Sequence, residues 1–306
     1  MYLSLLVPLD RSSFAEQALP LALSIARRAS ARLDLVEVHA LYALGDPTAG
    51  RLPFEPDRDA ECMQQEQLYL DATAKWVTAV SPVPVTAGVL SGSAVLPAMV
   101  ADSILERALT GKVDLIVMAT HGRGPLGRFG VGSVADELIR RAPIPVLLVR
   151  PSEKAPQVIP EPVLDNILIP LDGSPLAEQV LEPALDLVRL MEARCSLLRV
   201  VESASSPGDR APGGPPERAQ AEAYLDRLAG RLREQGLQVR TRVVVARHAA
   251  EAILEEAEAQ ASNLIALATH GRGGLTRLLL GSVADKLIRA AASPVLVYRP
   301  TGKELR

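Results

Sequence analysis

The chain has 306 residues, enough for two domains of ordinary size that each bury a hydrophobic core. Hydrophobic residues make up 48% of the chain and aromatic residues only 3%, so the cores are aliphatic and few rings are present on which nucleic acid bases would stack. The formal net charge of -3 gives no general attraction for DNA, RNA or anionic lipid, which argues against nucleic acid and membrane surfaces as partners.

Short aliphatic runs alternate along the chain with longer segments of helical periodicity, a pattern typical of parallel sheets built from βαβ units. The predicted strands fall near residues 3–9, 32–40, 84–90, 113–119 and 145–150, and then near 166–171, 195–201, 238–245, 263–268 and 294–299. Such runs are apolar on both faces because helices cover both sides of a parallel strand. The predicted fold is therefore α/β, with two repeated doubly wound domains, each a five-stranded parallel sheet flanked by four helices.

The two halves of the chain are copies of one unit. Residues 119–151 match residues 268–300 at 22 of 33 positions without a gap, and the 15 residues from Leu5 match those from Ile167 at 9 positions. A proline-rich segment separates the copies and fits an extended linker. We predict a first domain at 1–151, a linker at 152–163 and a second domain at 164–306.

Each repeat carries the same glycine-rich turn after its fourth strand. The carboxyl end of such a strand is where open α/β sheets bind ligands. A helix begins at Gly132–Ser133 and again at Gly281–Ser282, where free N–H groups and a positive helix dipole would favour phosphate. Two arginines recur in each turn and would either offset phosphate charge or be solvated loop charges: Arg123 and Arg128, and Arg272 and Arg277.

Other roles remain open for several recurring residues. Ser133 and Ser282 are each followed three residues later by an aspartate, a spacing that resembles an N-cap with a capping-box partner and is compatible with phosphate binding. Asp10 and Asp172 follow the first strand of each repeat and would either accept from ribose or adenine or cap the next helix. No acid or nucleophile recurs in sequence beside the recurring histidines, His121 and His270, so we interpret both as structural.

Several motifs of known chemistry are absent from the sequence. It contains no P-loop G-x-x-x-x-G-K-[ST], no G-x-S-x-G and no H-E-x-x-H. The segment GRGPLG from Gly122 matches G-x-G-x-x-G, but it follows a fourth strand and the match fails at Thr276 in the second repeat. We therefore interpret it as accidental.

The compartment is expected to be the cytoplasm. Two cysteines, Cys62 and Cys195, are too few for a disulfide framework or a metal site and suit a reducing cytosol. The N-terminal sequence reaches Asp10 too early for a signal peptide, and no run approaches 18 apolar residues. Cys195 begins an apolar run, which predicts a core position.

Taken together, the strand ends and the twin turns resemble the universal stress protein family, specifically tandem members of its ATP-binding subgroup. That subgroup carries the motif G-x2-G-x9-G-[ST] after the fourth strand. The spacing is kept in both repeats, at Ala119, Gly122, Gly132, Ser133 and at Ala268, Gly271, Gly281, Ser282. The resemblance covers nearly the whole chain and implies the fold called adenine nucleotide alpha hydrolase-like.

The resemblance also implies which residues bind nucleotide. The adenosine side would be lined by Pro8, Asp10, Ala40 and Met118 in the first repeat and by Pro170, Asp172, Val200 and Leu267 in the second. The phosphates would be held by Gly122, Gly132 and Ser133 and by Gly271, Gly281 and Ser282. The candidate set is completed by Ala119, Val134 and the two arginines of the first turn, and by Ala268, Val283 and the two arginines of the second.

By the same resemblance the cofactor is ATP, with Mg²⁺ carried by the phosphates rather than bound by protein ligands. Two departures from the family pattern bear on affinity. Alanine replaces the first motif glycine at Ala119 and Ala268, which is harmless where φ is negative and the ligand keeps its distance. Arg11 stands where the second repeat has Gly173, so the two sites are expected to differ.

The leading hypothesis is an ATP-binding protein of stress response or signalling that acts through nucleotide-dependent conformation and an unknown protein partner. One alternative is a protein-interaction module of the same fold without nucleotide. Another is a slow ATPase, although no general base recurs in the motif and no catalytic residue is predicted. In the family the fifth strands pair across a two-fold axis, so residues 145–150 and 294–299 are expected to pair within the chain as an intramolecular pseudo-dimer, and a homodimer remains open.

Overall fold

A computed structural model of the chain describes residues 1–39, 56–91, 96–121, 130–152, 162–203, 215–270 and 280–300. Its contacts form two compact units. The first compact unit comprises Tyr2–Leu138 with Pro151–Glu161, and the second comprises Met1, Ile139–Arg150 and Pro162–Arg306. The domain boundaries predicted from the repeat stay a prediction.

The described residues of the first repeat contain five strands and four α-helices, and a short 3-10 helix at Ala15–Ala18 follows the first strand. The strands are β1 Ser4–Pro8, β2 Arg32–Val38, β3 Val85–Leu90, β4 Leu115–Ala119 and β5 Val146–Val149. The helices are α1 Leu19–Ala29, α2 Pro56–Val80, α3 Pro97–Thr110 and α4 Ser133–Arg141. Within the first compact unit the strand order is β3-β2-β1-β4, and the pairings of β1 with β2 and β4, and of β2 with β3, are parallel.

The second repeat has the same element order. Its strands are β6 Asn166–Pro170, β7 Arg194–Glu202, β8 Val239–Ala246, β9 Leu264–Ala268 and β10 Val295–Tyr298. Its helices are α5 Pro175–Glu178, α6 Leu181–Met191, α7 Pro215–Glu234, α8 Ala249–Ala259 and α9 Ser282–Ala290. Five strands in the order β10-β9-β6-β7-β8 form a parallel sheet, which confirms the predicted doubly wound α/β fold.

The two closing strands pair in antiparallel fashion inside the second compact unit. Val295 lies opposite Leu148, Leu296 opposite Leu147 and Val297 opposite Val146. The pairing expected for residues 145–150 and 294–299 is therefore present.

The sheets form because their central strands are buried on both faces. Ile167, Leu168 and Ile169 in β6 are consecutive and each is fully buried, so the strand needs apolar side chains at every position rather than at alternate ones. Burying a side chain of this size stabilises the fold by about 1.5 to 3 kcal/mol.

The repeat extends to the backbone where side chains differ. The helices α1 and α6 end at Ser30 and Glu192, which both adopt left-handed φ angles, of 51° and 54°. After the first strand of each repeat, Arg11 and Gly173 are also left-handed, with φ of 64° and 76°. Corresponding positions therefore share a conformation even where only one copy has glycine.

Cys195 lies at the start of β7 and is fully buried, as predicted. Burial raises the pKa of its thiol to about 12, because the thiolate would have to lose its hydration. We expect Cys195 to resist alkylation at pH 8 in the folded protein and to react after denaturation. Mass spectrometry of iodoacetamide-treated samples measures this, and alkylation of Cys195 at equal rates in both samples would contradict the assignment.

Candidate functional site

The second repeat holds a cavity of about 960 Å³ at the carboxyl edge of its sheet. The ends of β6, β7 and β9 form its floor, and the start of α9 and one face of α7 contribute walls. This is the edge at which open α/β sheets bind ligands. The volume lies within the range of about 300 to 1,000 Å³ that is typical of pockets for small molecules and cofactors.

Eight of the residues predicted for the second site line this cavity. They are Pro170, Asp172, Val200, Leu267, Ala268, Gly281, Ser282 and Val283. The remaining candidates, Gly271, Arg272 and Arg277, lie outside the described residues. The structure therefore brings strand ends and a helix start that are up to about a hundred residues apart in sequence to one cavity.

The corresponding residues of the first repeat occupy equivalent places along the chain. Pro8 ends β1, Met118 and Ala119 end β4, and α4 begins at Ser133 with Val134 in its first turn. Asp10 and Gly132 stand just beyond a strand and just before a helix. The other candidates, Ala40, Gly122, Arg123 and Arg128, lie outside the described residues.

The aspartate after the first strand stabilises the turn that follows it. Oδ1 of Asp172 accepts hydrogen bonds from the Ser174 amide at 2.9 Å and the Ser174 hydroxyl at 2.6 Å. The Ser174 hydroxyl oxygen in turn accepts from the Ala177 amide at 3.2 Å and so caps α5. Asp10 makes the same two contacts with Ser12, at 3.0 and 2.6 Å. The alternative role as an Asx-type cap is therefore present, and in the second repeat it coexists with a place on the cavity wall.

A glycine is required where the fourth strand meets the next helix. The Gly281 amide donates to the Thr269 carbonyl at 2.9 Å, and a Cβ at Gly281 would lie 3.0 Å from that same oxygen. Gly132 repeats this arrangement with Thr120, at 2.7 Å for the hydrogen bond and 3.0 Å for a Cβ. The glycine thus allows the helix start to lie close to the strand end. Its own N–H donates to the threonine carbonyl and is not available to a ligand.

The helix start differs from the prediction in one respect. The N-cap of α9 is Gly281, and Ser282 is already the first helical residue, so the predicted capping box at Ser282 is wrong. The reason is that the contact with Thr269 fixes the helix start at the glycine, one residue earlier than a serine cap would require. Asp285 instead accepts a hydrogen bond from Arg289 at 2.9 Å, one turn further along α9.

First-turn amides of a helix have no partner within the helix, so α9 presents this donor capacity and its positive dipole end at the cavity wall formed by Ser282 and Val283. Ala268 is the last residue of β9, and Ala119 is the last residue of β4. Both have the extended backbone of a strand, where a methyl group causes no strain.

Sequence reasoning missed several polar residues of this cavity, among them Glu202, Glu217 and Gln220. Arg199 projects from β7, its Nη1 donating to the Leu171 carbonyl at 3.3 Å, and Arg227 and Tyr224 come from α7. The Tyr224 hydroxyl donates to Glu178 at 2.9 Å, and burial together with that carboxylate raises the pKa of the phenol. A signal existed, because Tyr69 donates to Glu16 in the same way at 2.9 Å in the first repeat.

A cluster of charged side chains occupies the first repeat at the ends of β1 and β2. We call Arg11, Glu37, His39, Asp59 and Glu66 the acidic cluster. Arg11 bonds Glu37 at 2.9 Å and Glu66 at 3.3 Å. His39 bonds Glu66 through Nδ1 at 2.7 Å and Asp59 through Nε2 at 2.9 Å. Because both ring nitrogens face carboxylate oxygens, the geometry favours the doubly protonated imidazolium.

The recurring histidines of the turn each bond the preceding threonine. Nδ1 of His121 lies 2.9 Å from the Thr120 hydroxyl, and Nδ1 of His270 lies 2.8 Å from that of Thr269. These contacts support the structural interpretation. Within the described ranges no group of three His, Cys, Asp or Glu side chains is arranged to hold a metal ion, and no helix there is long and apolar enough to cross a bilayer.

Comparison with known proteins identifies the family. The model of the universal stress protein family matches this chain twice, over residues 1–150 and 164–299. The chain belongs to the universal stress protein family. The resemblance to this family found in the sequence is thereby confirmed, including its tandem form, while membership of the ATP-binding subgroup stays a prediction.

Relatives and solved structures agree with this membership. A universal stress protein of Mycobacterium tuberculosis is 34% identical over 195 residues, which cover 62% of this chain and 63% of that protein, so the match spans less than two thirds of the relative. A universal stress protein structure from Archaeoglobus fulgidus covers 97% of this chain and 98% of its own, with a TM-score of 0.69 at 18% identity. A putative universal stress protein from Pseudomonas aeruginosa covers 98% and 94%, with a TM-score of 0.65 at 18% identity. At these identities the two structures show the fold alone.

The contact between Gly281 and Thr269 predicts that a side chain at position 281 lowers the stability of the protein. We expect Gly281→Ala to lower the free energy of unfolding by about 1 to 3 kcal/mol, because the new methyl must displace the Thr269 carbonyl. Gly230→Ala is the control, since nothing lies within 4 Å of a Cβ built in that helix, and it should stabilise by about 0.5 to 1 kcal/mol. Urea unfolding measures both, and equal effects of the two changes would contradict the account.

The contacts of the acidic cluster predict that His39 contributes to the free energy of unfolding in a pH-dependent way. Burial alone would lower the pKa of this imidazole, but its hydrogen bonds to Asp59 and Glu66 outweigh burial and raise the pKa above 6.5. A raised folded-state pKa adds stability that is complete below about pH 6.5 and is lost as the pH rises through the folded value. Wild type should therefore exceed His39→Gln in free energy of unfolding by more at pH 6 than at pH 9. A difference that is constant, or that grows with pH, would show that the ring does not titrate in this way.

Proposed function

We propose that this universal stress protein is a cytoplasmic ATP-binding protein whose second repeat takes the nucleotide in the cavity between its sheet edge and α9. The main support for this proposal is one cavity of about 960 Å³ that is lined both by the strand-end residues Pro170, Val200 and Leu267 and by Ser282 at the start of α9. The protein would differ in conformation with and without bound nucleotide. A protein partner would recognise that difference in stress response or signalling.

Each part of the cavity suits one part of a nucleotide. The apolar strand ends offer a surface for adenine, and the Asp172 carboxylate at the same edge can accept from ribose hydroxyls or an adenine amine. The start of α9 supplies a positive dipole end for phosphate. Arg199 and Arg227 add cations on the cavity wall, where charge-assisted hydrogen bonds to phosphate oxygens are strong.

Mg²⁺ fits this arrangement as a companion of the phosphates. Magnesium is commonly held by substrate phosphates, one or two carboxylates and water rather than by a dedicated protein cage. Its role here would be to offset phosphate charge while the backbone at the start of α9 and the arginines orient the chain of phosphates. No residue of this protein needs to bind the ion directly.

The alternatives make different demands on the same cavity. An interaction module without nucleotide would keep the glycine at position 281 for the Thr269 contact alone, and it would need no phosphate-binding groups on the cavity wall. A slow ATPase would need a group that activates water beside the terminal phosphate. The proposal is therefore binding without turnover, and phosphate release should stay at the background rate.

A thermal shift with Mg²⁺ and ATP tests the proposal. A ligand that binds only the folded state adds about 2.7 kcal/mol at one hundred times its dissociation constant, which corresponds to a rise in Tm of about 5 to 10 °C. We expect this rise in wild type and its loss in Gly281→Glu, whose carboxylate would enter the phosphate end of the cavity.

The matched control is Gly230→Glu, which adds the same side chain to α7 outside the cavity lining and should keep the shift. Tm without nucleotide, read for each variant, separates loss of folding from loss of binding. An unchanged Tm for folded wild type at millimolar nucleotide would refute ATP binding.

A further inference from the structure

We infer that the two repeats are unequal, with one nucleotide bound per chain in the second repeat, because the acidic cluster fills the corresponding place in the first. This inference rests on the proposed function and adds to it a stoichiometry and a reason for it.

Strand register fixes the matching positions. Leu5 pairs with Leu33 where β1 meets β2, and Ile167 pairs with Cys195 where β6 meets β7. Glu37 and Arg199 each lie four residues after these partners, Leu33 and Cys195, and therefore correspond. His39 and Val201 each lie six residues after them and correspond in the same way. Arg11 corresponds to Gly173, since each directly follows the aspartate that lies two residues beyond its first strand.

The helices after the second strands are matched by their tyrosines. Tyr69 in α2 donates to Glu16, and Tyr224 in α7 donates to Glu178, each at 2.9 Å. Three residues before these tyrosines stand Glu66 and Ala221, which therefore correspond. Both positions are buried.

In the second repeat all four matched positions line the cavity. They are Gly173, Arg199, Val201 and Ala221. Two of them, the glycine and the alanine, are among the smallest residues, so they leave room between the ends of β6 and β7 and the face of α7. That room is part of the same cavity that Pro170 and Asp172 line.

In the first repeat the same four positions carry large polar side chains that bind each other. Arg11 reaches across to Glu37 and Glu66, and His39 bonds Glu66 from the other side. Glu37, His39 and Glu66 are at most 4% exposed, so the contacts are internal rather than surface ion pairs. A nucleoside entering here would have to separate buried charges that are already paired, which is strongly unfavourable.

The backbone at Arg11 indicates that this arrangement is maintained at a cost. Arg11 has a φ of 64°, a left-handed conformation that disfavours any residue with a Cβ, whereas Gly173 adopts a φ of 76° without penalty. The Arg11 side chain gains two carboxylate partners in this position. These two ion pairs offset the backbone strain at Arg11, so the arginine is part of the acidic cluster.

Charge separates the two places as well. The acidic cluster holds three carboxylates, from Glu37, Glu66 and Asp59, against at most two cations, so its sum is negative even with His39 protonated. In the second repeat the position of Glu37 is occupied by Arg199. At this matched position a polyphosphate anion would meet a carboxylate in the first repeat and a cation in the second, although Glu202 and Glu217 also line the second cavity.

Equilibrium dialysis of wild type with radiolabelled ATP and Mg²⁺ tests the inference directly. We expect one nucleotide per chain at saturation, and photolabelling with an azido analogue of ATP should mark peptides only from residues 164–306. Two nucleotides per chain, or labelled peptides from residues 1–151, would overturn the inequality while supporting ATP binding. No binding and no labelling would refute the proposed function itself.

Three variants test which repeat binds the nucleotide. Gly281→Glu should weaken binding at least 100-fold with no residual site, while Gly230→Glu should bind within twofold of wild type; a residual single site in Gly281→Glu would count against the inference. The combined change Arg11→Gly, Glu37→Arg, His39→Val and Glu66→Ala gives the first repeat the four residues of the second. It should raise the stoichiometry from one towards two, and a folded variant that still binds one nucleotide would show that the cluster is not what closes the first place. Thermal melting without nucleotide reports whether each variant is folded.

Discussion

The hydrogen bond between the Gly281 amide and the Thr269 carbonyl is the constraint on which the candidate site depends. It joins the end of β9 to the start of α9 so closely that a Cβ at position 281 would lie 3.0 Å from the carbonyl oxygen. Because the helix must start there, its positive end is held at the sheet edge, where the apolar strand ends also finish. The same contact between Gly132 and Thr120 shows that both repeats keep this frame.

On that shared frame the two repeats differ mainly in the side chains at matching positions. The left-handed turn after the first strand, the Asx contact of Asp10 or Asp172, and the tyrosine–glutamate hydrogen bond are the same in both. What differs is the set of residues that faces the space between them, which is small or cationic in one repeat and acidic with an internal arginine in the other. A fold held by backbone contacts can exchange such residues without losing its architecture, so one copy is free to change its chemistry while the other retains it.

Much of the fold could be predicted from the sequence because local residue patterns indicate where the strands lie. Each strand is a nearly continuous apolar run, and each observed strand lies within about two residues of its predicted position. The cavity residues on strand ends were also predictable, since parallel strands deliver them to one edge. The capping-box interpretation of Ser282 failed because a tertiary contact with Thr269, invisible in the local pattern, sets the helix start. The acidic cluster and Arg199 were missed for a related reason: Arg11, Glu37 and Glu66 are far apart in sequence, and only strand register and the packing of α2 bring them together.

The antiparallel pairing of β5 with β10 means that backbone hydrogen bonds cross the boundary of the duplicated sequence. β5 belongs to the first repeat by sequence, yet its contacts place it in the compact unit formed by the second repeat. A fragment cut between the repeats would leave β10 with unpaired backbone groups along one side, which is the condition that promotes association between sheet edges. Isolated halves of this protein would thus be prone to self-association, and the covalent fusion supplies from within the chain the strand that a separate half would have to recruit from another molecule.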